Sequence, residues 1–346
     1  MGKRVLNILS LSFFISILLG LGFKSKGKIV KLDIPKYWPK TNYDFEKKPL
    51  TTAKIELGRH LFYDPILSLD TSISCASCHS SYTAFTHIDH PLSHGIGDSV
   101  GTRNSPVLIN LAWNTSFMWD GSIPHIENQV LAPIHNSVEM GDDIVNVVRK
   151  LQSSEKYKAL FNYAFGDTII TGQHVLIAIA QFELTLVSSN SKYDKIIQKV
   201  KHFAFSEQEQ RGYDLFKTNC ASCHKEPLFT SGEFENNGLP LNDKLNDYGR
   251  VNVTQNPLDS FKFKVPTLRN IEFSFPYMHD GRFNSLFEVI DHYTSEIKST
   301  SVLAPPLKGG LKLTHENKID IISFLLTLTD KDFLFNPKFT FPRKNN

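Results

Sequence analysis

The five residues Cys75-Ala-Ser-Cys-His79 recur unchanged as Cys220-Ala-Ser-Cys-His224, and the two copies hold all four cysteines of the 346-residue chain. Two thiols separated by two residues, with an imidazole directly after them, is the spacing of covalent c-type haem attachment. Each thiol adds to one vinyl group of the porphyrin, and the adjoining histidine turns under the ring to ligate iron. A structural zinc site would bring two Cys-x-x-Cys pairs to one metal, and an exported chain with four cysteines invites disulfides. Neither accounts for the histidine that closes both copies. Two covalent haem c groups are therefore expected, one on Cys75, Cys78 and His79, the other on Cys220, Cys223 and His224.

The elements that must position these motifs are duplicated as well, as a repeat architecture requires. Gly-x-x-Leu-Phe precedes each copy, at Gly58–Phe62 and Gly212–Phe216. Pro106–Gly121 (PVLINLAWNTSFMWDG) matches Pro266–Gly281 (PTLRNIEFSFPYMHDG) without a gap, both reading P-x-L-x-N and then M-x-D-G. Each half closes on an apolar segment carrying F-x-x-T-L, Gln173–Leu186 and Asn317–Leu328, which predicts a helix. Ser206-x-x-Glu209 predicts a capping box at the first helix of the second half. Alternating strand patterns are not found. The expected architecture is mainly α, two tandem cytochrome c-like domains with one covalent haem each, over residues 45–200 and 205–335.

Departures from the repeat point to function. Trp119 stands where the second half has His279, and fourteen residues further Pro133 stands where the second half has Tyr293. Proline cannot ligate iron, whereas tyrosine can, and as phenolate it favours the ferric state. If that position faces iron, one haem is closed by a protein ligand and the other keeps an open face, as a substrate such as peroxide requires.

Residues 1–28 begin with MGKR and continue into an uncharged run at 5–23, the pattern of an export signal. That run is about long enough to span a bilayer, so an N-terminal membrane anchor stays open beside cleavage, and the expected location is the periplasm. Five of the 38 Lys and Arg lie in this segment, which has no acid; the remainder is nearly neutral and gives no sign of a nucleic-acid partner.

Together the two haem motifs, FMWDG, LAPIHNSVEMG, KVPTLRNIEFSFPYMHDGRF and the closing helices resemble the bacterial dihaem cytochrome c peroxidase/MauG superfamily, from about residue 45 to 330. The resemblance implies a peroxide-reactive haem in the first domain, a relay tryptophan between the haems at Trp119, and distal-pocket residues at Gln129, Pro133 and Glu139. It also implies one calcium ion between the domains, held by Asn104, Ser274 and Pro276, with Ser274 where threonine is usual. Peroxidases of the well-known type have methionine where this chain has Tyr293, which MauG shares. Met278 recurs as Met118 in the first half and reads as structural; His292 is the rival axial ligand. A resting-state ligand of the first haem would come from the His87, His90 and His94 loop. His94 is the closest match, although its spacing to Arg103-Asn104 differs by two residues.

Three functions follow. The first is reduction of hydrogen peroxide to water with electrons from a small periplasmic cytochrome c or cupredoxin. Glu139 would move the proton, Gln129 would position peroxide and Trp119 would relay an electron from the second haem. The second is MauG-like oxidation of a protein or small substrate through a high-valent dihaem state; the surface tryptophan MauG uses is Thr218 here. The third is a non-catalytic dihaem electron carrier, disfavoured by Pro133 and Glu139. A homodimer is left open.

Overall fold

The computed structural model describes residues 27–342; the export segment read at residues 1–28 lies almost wholly outside them. Among the described residues helices dominate. The strands are two antiparallel pairs of two residues each, Ile29–Val30 with Leu50–Thr51 and Phe234–Glu235 with Phe263–Lys264. No helix among the described residues is long and apolar enough to cross a membrane.

Each half is built on one pair of crossing helices. In the first, Thr52–Tyr63 packs on Gly172–Glu183; in the second, Glu207–Asn219 packs on His315–Leu326. Local chemistry starts each of them. Thr51 and Thr171 accept backbone N–H groups at the first pair's N-termini. Ser206 with Glu209, as expected, and Thr314 with Asn317 form capping boxes on the second pair. The closing helices end at Glu183 and Leu326, before the Leu186 and Leu328 read from the sequence.

The two pairs touch at the same point of the repeat. A Cβ added to Gly58 would overlap the Ala178 carbonyl and press on Phe182, and one added to Gly212 would overlap the Asp320 carbonyl and press on Phe324. Only a residue without a side chain lets the backbones approach this closely. The next residues of the repeat are equally matched. Asn110 and Asn270 adopt φ of 56° and 58°, and their N–H groups donate to Leu186 O and Leu328 O at the ends of the closing helices. Met118 and Met278 both have positive φ at the M-x-D-G turn, as do Gly121 and Gly281. Methionine is thus part of a repeated turn in both halves.

Two large apolar clusters fill the halves. Phe62, Phe85 and Phe182 meet in the first, with ring centroids 5.3–6.2 Å apart. Phe216, Phe229, Phe324 and Tyr193 meet in the second. The clusters do not follow chain order strictly. Trp38 near the start, and Phe333 and Leu334 near the end, are buried in the first cluster, and Arg59 donates to Thr340 O at 2.8 Å. The chain therefore returns to its first half after completing the second, and the segment read as ending the second domain at 335 belongs by packing to the first core.

Gly58→Ala or Gly212→Ala should lower stability by about 1–3 kcal/mol, the usual cost of overpacking. Gly101→Ala, where the nearest atom to an added Cβ lies 3.6 Å away, should stay within about 0.5 kcal/mol of wild type. Denaturant unfolding of the three variants checks this; equal stability for Gly58→Ala and Gly101→Ala would refute the constraint.

Candidate haem sites and the seam between the halves

The first Cys-x-x-Cys-His unit opens with the short helix Cys75–Cys78, beyond the Pro65–Leu67 turn that follows its opening helix; the second is a turn running straight on from Asn219, and all four thiols are free. His79 Nδ1 donates to Phe85 O at 2.7 Å, and His224 Nδ1 is shared between Phe229 O at 3.2 Å and Pro266 O at 3.1 Å. Carbonyl acceptors on Nδ1 fix the tautomer and leave Nε2 as a lone-pair donor, the usual arrangement behind a metal-ligating histidine. Burial pushes both imidazoles down to about 4, so they are neutral. The residues present fit a covalently held haem at each motif.

Around the second motif a cavity of about 350 Å³ is lined by Cys220, Cys223, His224, Leu325 and Tyr293. Burial raises the Tyr293 phenol to about 12, a hydrogen bond with Asn237 opposes the rise, and Cys220 and Cys223 act on it as electrostatic neighbours. The phenol is therefore close to the attachment thiols. His292 is fully buried, donates from Nε2 to Asn237 O at 3.0 Å and is not part of the cavity wall. Met278 lines the cavity, but its sulfur faces Asn237 Nδ2 at 3.4 Å.

The same cavity reaches into the first half, where Gln129 and Trp119 line it. Gln129 is 9 % exposed, and its Oε1 has no hydrogen-bond partner, which marks a polar group awaiting a ligand or water. Glu139 is half-buried beside Cys78, which feels its charge. Burial raises the Glu139 carboxyl, and the 2.7 Å hydrogen bond from Asn136 Nδ2 only partly offsets this. Pro133 sits in the short helix Leu131–His135 between them. The loop carrying His94 packs against this region: Ile96 N–H donates to Glu139 O, and Cys78 Sγ lies 3.9 Å from His94 O. The His94 ring itself pairs with Asp98 at 2.5 Å and stands next to His90, ring centroids 4.8 Å apart.

Trp119 lies at the seam. Its indole N–H donates to Asn104 O at 2.8 Å, its carbonyl accepts Lys264 N–H at 2.7 Å, and Asn104 N–H donates to His279 O at 2.7 Å. Asn104, Ser274 and Pro276 all line the shared cavity, and the Asn104 amide also donates to Pro91 O. Thr218 is exposed, and its hydroxyl bonds back to its own helix at Asp214 O.

Charged groups that sequence reasoning missed hold the seam together. Arg103 makes two hydrogen bonds to Asp247, at 2.6 and 2.9 Å, and one to Asp120 at 2.6 Å. Arg250 donates to Asp120 O at 2.7 Å. Farther off, the fully buried Arg269 forms a bidentate pair with Asp194 in the Lys192–Ile197 helix that joins the halves, at 2.7 and 2.8 Å. Tyr37 donates to the same carboxylate at 2.6 Å. The only local signal was that Arg269 replaces Ile109 within the repeat.

Residues 52–202 match the profile of the di-haem cytochrome c peroxidase family. The chain is 35% identical to the methylamine utilization protein MauG of Methylophilus methylotrophus, over 81% of this chain and 83% of that protein. It is 34% identical to the cytochrome c551 peroxidase of Nitrosomonas europaea, over 81% of each. Among solved structures it resembles a MauG-like protein associated with microbial copper homeostasis, with a TM-score of 0.82 and 30% identity over 90% of this chain and 99% of that one. The dihaem peroxidase BthA of Burkholderia thailandensis shares the fold, with a TM-score of 0.71 at 19% identity over 89% of this chain and 94% of that one. The chain belongs to the di-haem cytochrome c peroxidase family and is a peroxidase-class oxidoreductase of a family that carries two haem c groups.

Burial alone would raise Asp120 and Asp247, but the charge and hydrogen bonds of Arg103 outweigh it and hold both carboxyls below the usual range. Their contribution to stability is therefore present above the ordinary carboxylate value near 4 and lost as pH falls through the lowered values. Arg103→Met should cost about 3 kcal/mol or more at neutral pH by stranding two buried carboxylates, and this difference should shrink as both become protonated. Unfolding of wild type and Arg103→Met at neutral and acidic pH reads it; a difference that does not change with pH would overturn the account.

Proposed function

We propose that the chain reduces hydrogen peroxide to water at a haem in the first half, drawing electrons through a second haem from a small periplasmic cytochrome c or cupredoxin. The carrying observation is the asymmetry of the repeat at one position: Tyr293 stands in the cavity wall beside Cys220 and Cys223, while Pro133 in the first half offers no donor. In this reading residues 45–200 and 205–335 form two cytochrome c-like domains with one haem each, the last residues of the second packing back on the first core, and His224 and Tyr293 would both hold the second haem. His79 would hold the first haem, where Pro133 offers no second donor.

Bound at these motifs, the haem irons supply the electron transfers that split the peroxide bond. The side chains supply protons and position. Glu139, its proton held more firmly by burial, carries a proton from the near to the far peroxide oxygen. Gln129 offers its unpaired Oε1 to the peroxide or to water. Trp119, clamped between Asn104 and Lys264, relays an electron across the seam. A calcium ion at Asn104 and the carbonyl oxygens of Ser274 and Pro276 would stiffen that seam. The His94–Asp98 pair supports a loop histidine that leaves the first iron open.

Tyr293 and the likeness to MauG favour a second reading, oxidation of a protein or small substrate. The exposed Thr218 speaks against the MauG route, because it offers no oxidisable side chain at that surface.

Glu139→Gln should keep both haems yet lower peroxide turnover by roughly 10²–10⁴-fold, the usual worth of a general acid–base group. Steady-state peroxide reduction with a cytochrome c donor tests this, and activity within about twofold of wild type would assign Glu139 to structure.

Tyr293→Phe should remove the second haem's phenolate ligand, raise its potential and change its low-spin optical and EPR signature. Identical redox titrations and spectra for wild type and Tyr293→Phe would take Tyr293 out of the iron's coordination.

A further inference from the structure

Glu183 has no part in the chemistry above. It ends the Gly172–Glu183 helix, is 2 % exposed, and its Oε2 has no hydrogen-bond partner. Leaving a buried polar atom unpaired costs about 1–3 kcal/mol, so the site is expected to complete itself with a group absent from the polypeptide.

The repeat says which group. Phe182-Glu-Leu-Thr-Leu186 aligns with Phe324-Leu-Leu-Thr-Leu328, which puts Glu183 where the second half has Leu325. Leu325 lines the cavity that contains Cys220 and His224. The correspondence is geometric as well, because both closing helices meet their opening helices through the same glycine–carbonyl contact. Charge on Glu183 also raises the Cys75 thiol, which places the carboxyl near the first attachment motif.

Among the described residues its surroundings lack a counter-ion. Burial alone accounts for the rise of its carboxyl, to about 8. The charged side chains on the elements packed against its helix are engaged elsewhere. Arg59 and His60 of the opening helix pair with Glu56, Lys150 with Asp142, and Glu127 with Lys48. Arg149 bonds Asn146, and Lys54 lies over the Phe165 ring. Glu139 and the His94–Asp98 pair stand at Cys78, the other thiol of the motif. The Cys75 thiol itself is consumed when a thioether forms.

We infer that Glu183 is a proton-exchanging residue in the wall of the first haem site, bound to take up one proton when that haem's iron gains an electron and to release it when the electron leaves. The inference rests on the proposed seat of the first haem at Cys75 and His79. The step balances: ferric iron beside the Glu183 carboxylate, one electron from the donor and one proton from water give ferrous iron beside the Glu183 carboxylic acid, and oxidation returns both. An electron added to the iron makes the region more negative, which raises the carboxyl's proton affinity. By linkage, the protonated carboxyl makes that electron easier to add. Leu325 gives the second site no such coupling.

The test is potentiometric titration of the holoprotein at pH values on both sides of about 8, following each haem by its optical and EPR signals, for wild type, Glu183→Gln and Glu183→Leu. The first-haem potential of wild type should fall as pH rises while the second stays level, and both variants should flatten the first-haem dependence. Glu183→Gln preserves shape and guards against a folding defect in Glu183→Leu. An unchanged slope in Glu183→Gln, or a pH-independent first haem in wild type, would overturn the inference. A pyridine haemochrome count of one haem per wild-type chain would instead overturn the haem assignment on which it rests.

Discussion

Where the opening and closing helices of each half touch at a glycine there is no room for a side chain, and the rest of the molecule hangs from that contact. Gly58 lies against the Ala178 carbonyl and Gly212 against the Asp320 carbonyl. This close approach fixes how each opening helix lies on its closing helix. It also sets which residue of the closing helix faces the motif. Asn110 and Asn270 then tie the P-x-L-x-N segments to the ends of the closing helices, which starts the following loop from the same point in both halves. A long loop with little regular structure can thus deliver Trp119 and Gln129 reproducibly, because both of its ends are fixed to rigid elements.

On two matching frames, single substitutions change the chemistry without changing the fold. The second half presents Val289, Leu325 and Tyr293 to its cavity, an apolar wall with one phenol. At the equivalent positions the first half has Gln129, Glu183 and Pro133, two polar groups with unpaired oxygens and one residue that cannot donate. Unpaired buried oxygens are a cost in an empty protein and an opportunity in a loaded one. Gln129 and Glu183 both lie in the first half, at two of these three positions, which gives the asymmetry a direction: the first half carries groups that can exchange protons or hydrogen bonds, and the second an apolar wall with one phenol.

Much of this frame was legible beforehand because it is local. The Cys-x-x-Cys-His spacing, the capping box at Ser206 and Glu209, and the apolar closing helices are each properties of a few neighbouring residues. Gly58 and Gly212 were visible as a repeated motif, although only the backbone contact explains them. What stayed hidden is long-range. Arg269 and Asp194 are a fully buried ion pair 75 positions apart, and the chain carries no period that would announce their meeting. The return of Phe333 and Leu334 to the first core follows from where the second half happens to end. Glu183 was passed over because a lone glutamate at the end of a helix ordinarily faces water; only its burial, and the leucine in its mirror position, separate it from that default.

The seam follows the same logic of repetition put to unequal use. Asn104 and Lys264 occupy equivalent places, two residues before the proline of P-x-L-x-N, and both grip Trp119: one accepts its indole N–H, the other donates to its carbonyl. The tryptophan is therefore held by the same position of both halves, while its own counterpart, His279, is stacked on Phe263 with ring centroids 3.7 Å apart. Arg103, next to Asn104, anchors that grip through Asp120 and Asp247. A shift of one half against the other would have to break these bonds together. The acceptor of the indole N–H also matters for the proposed relay. A peptide carbonyl is too weak a base to remove that proton, so Trp119 would pass an electron while keeping its proton, and proton movement would be left to the carboxyls of the first site.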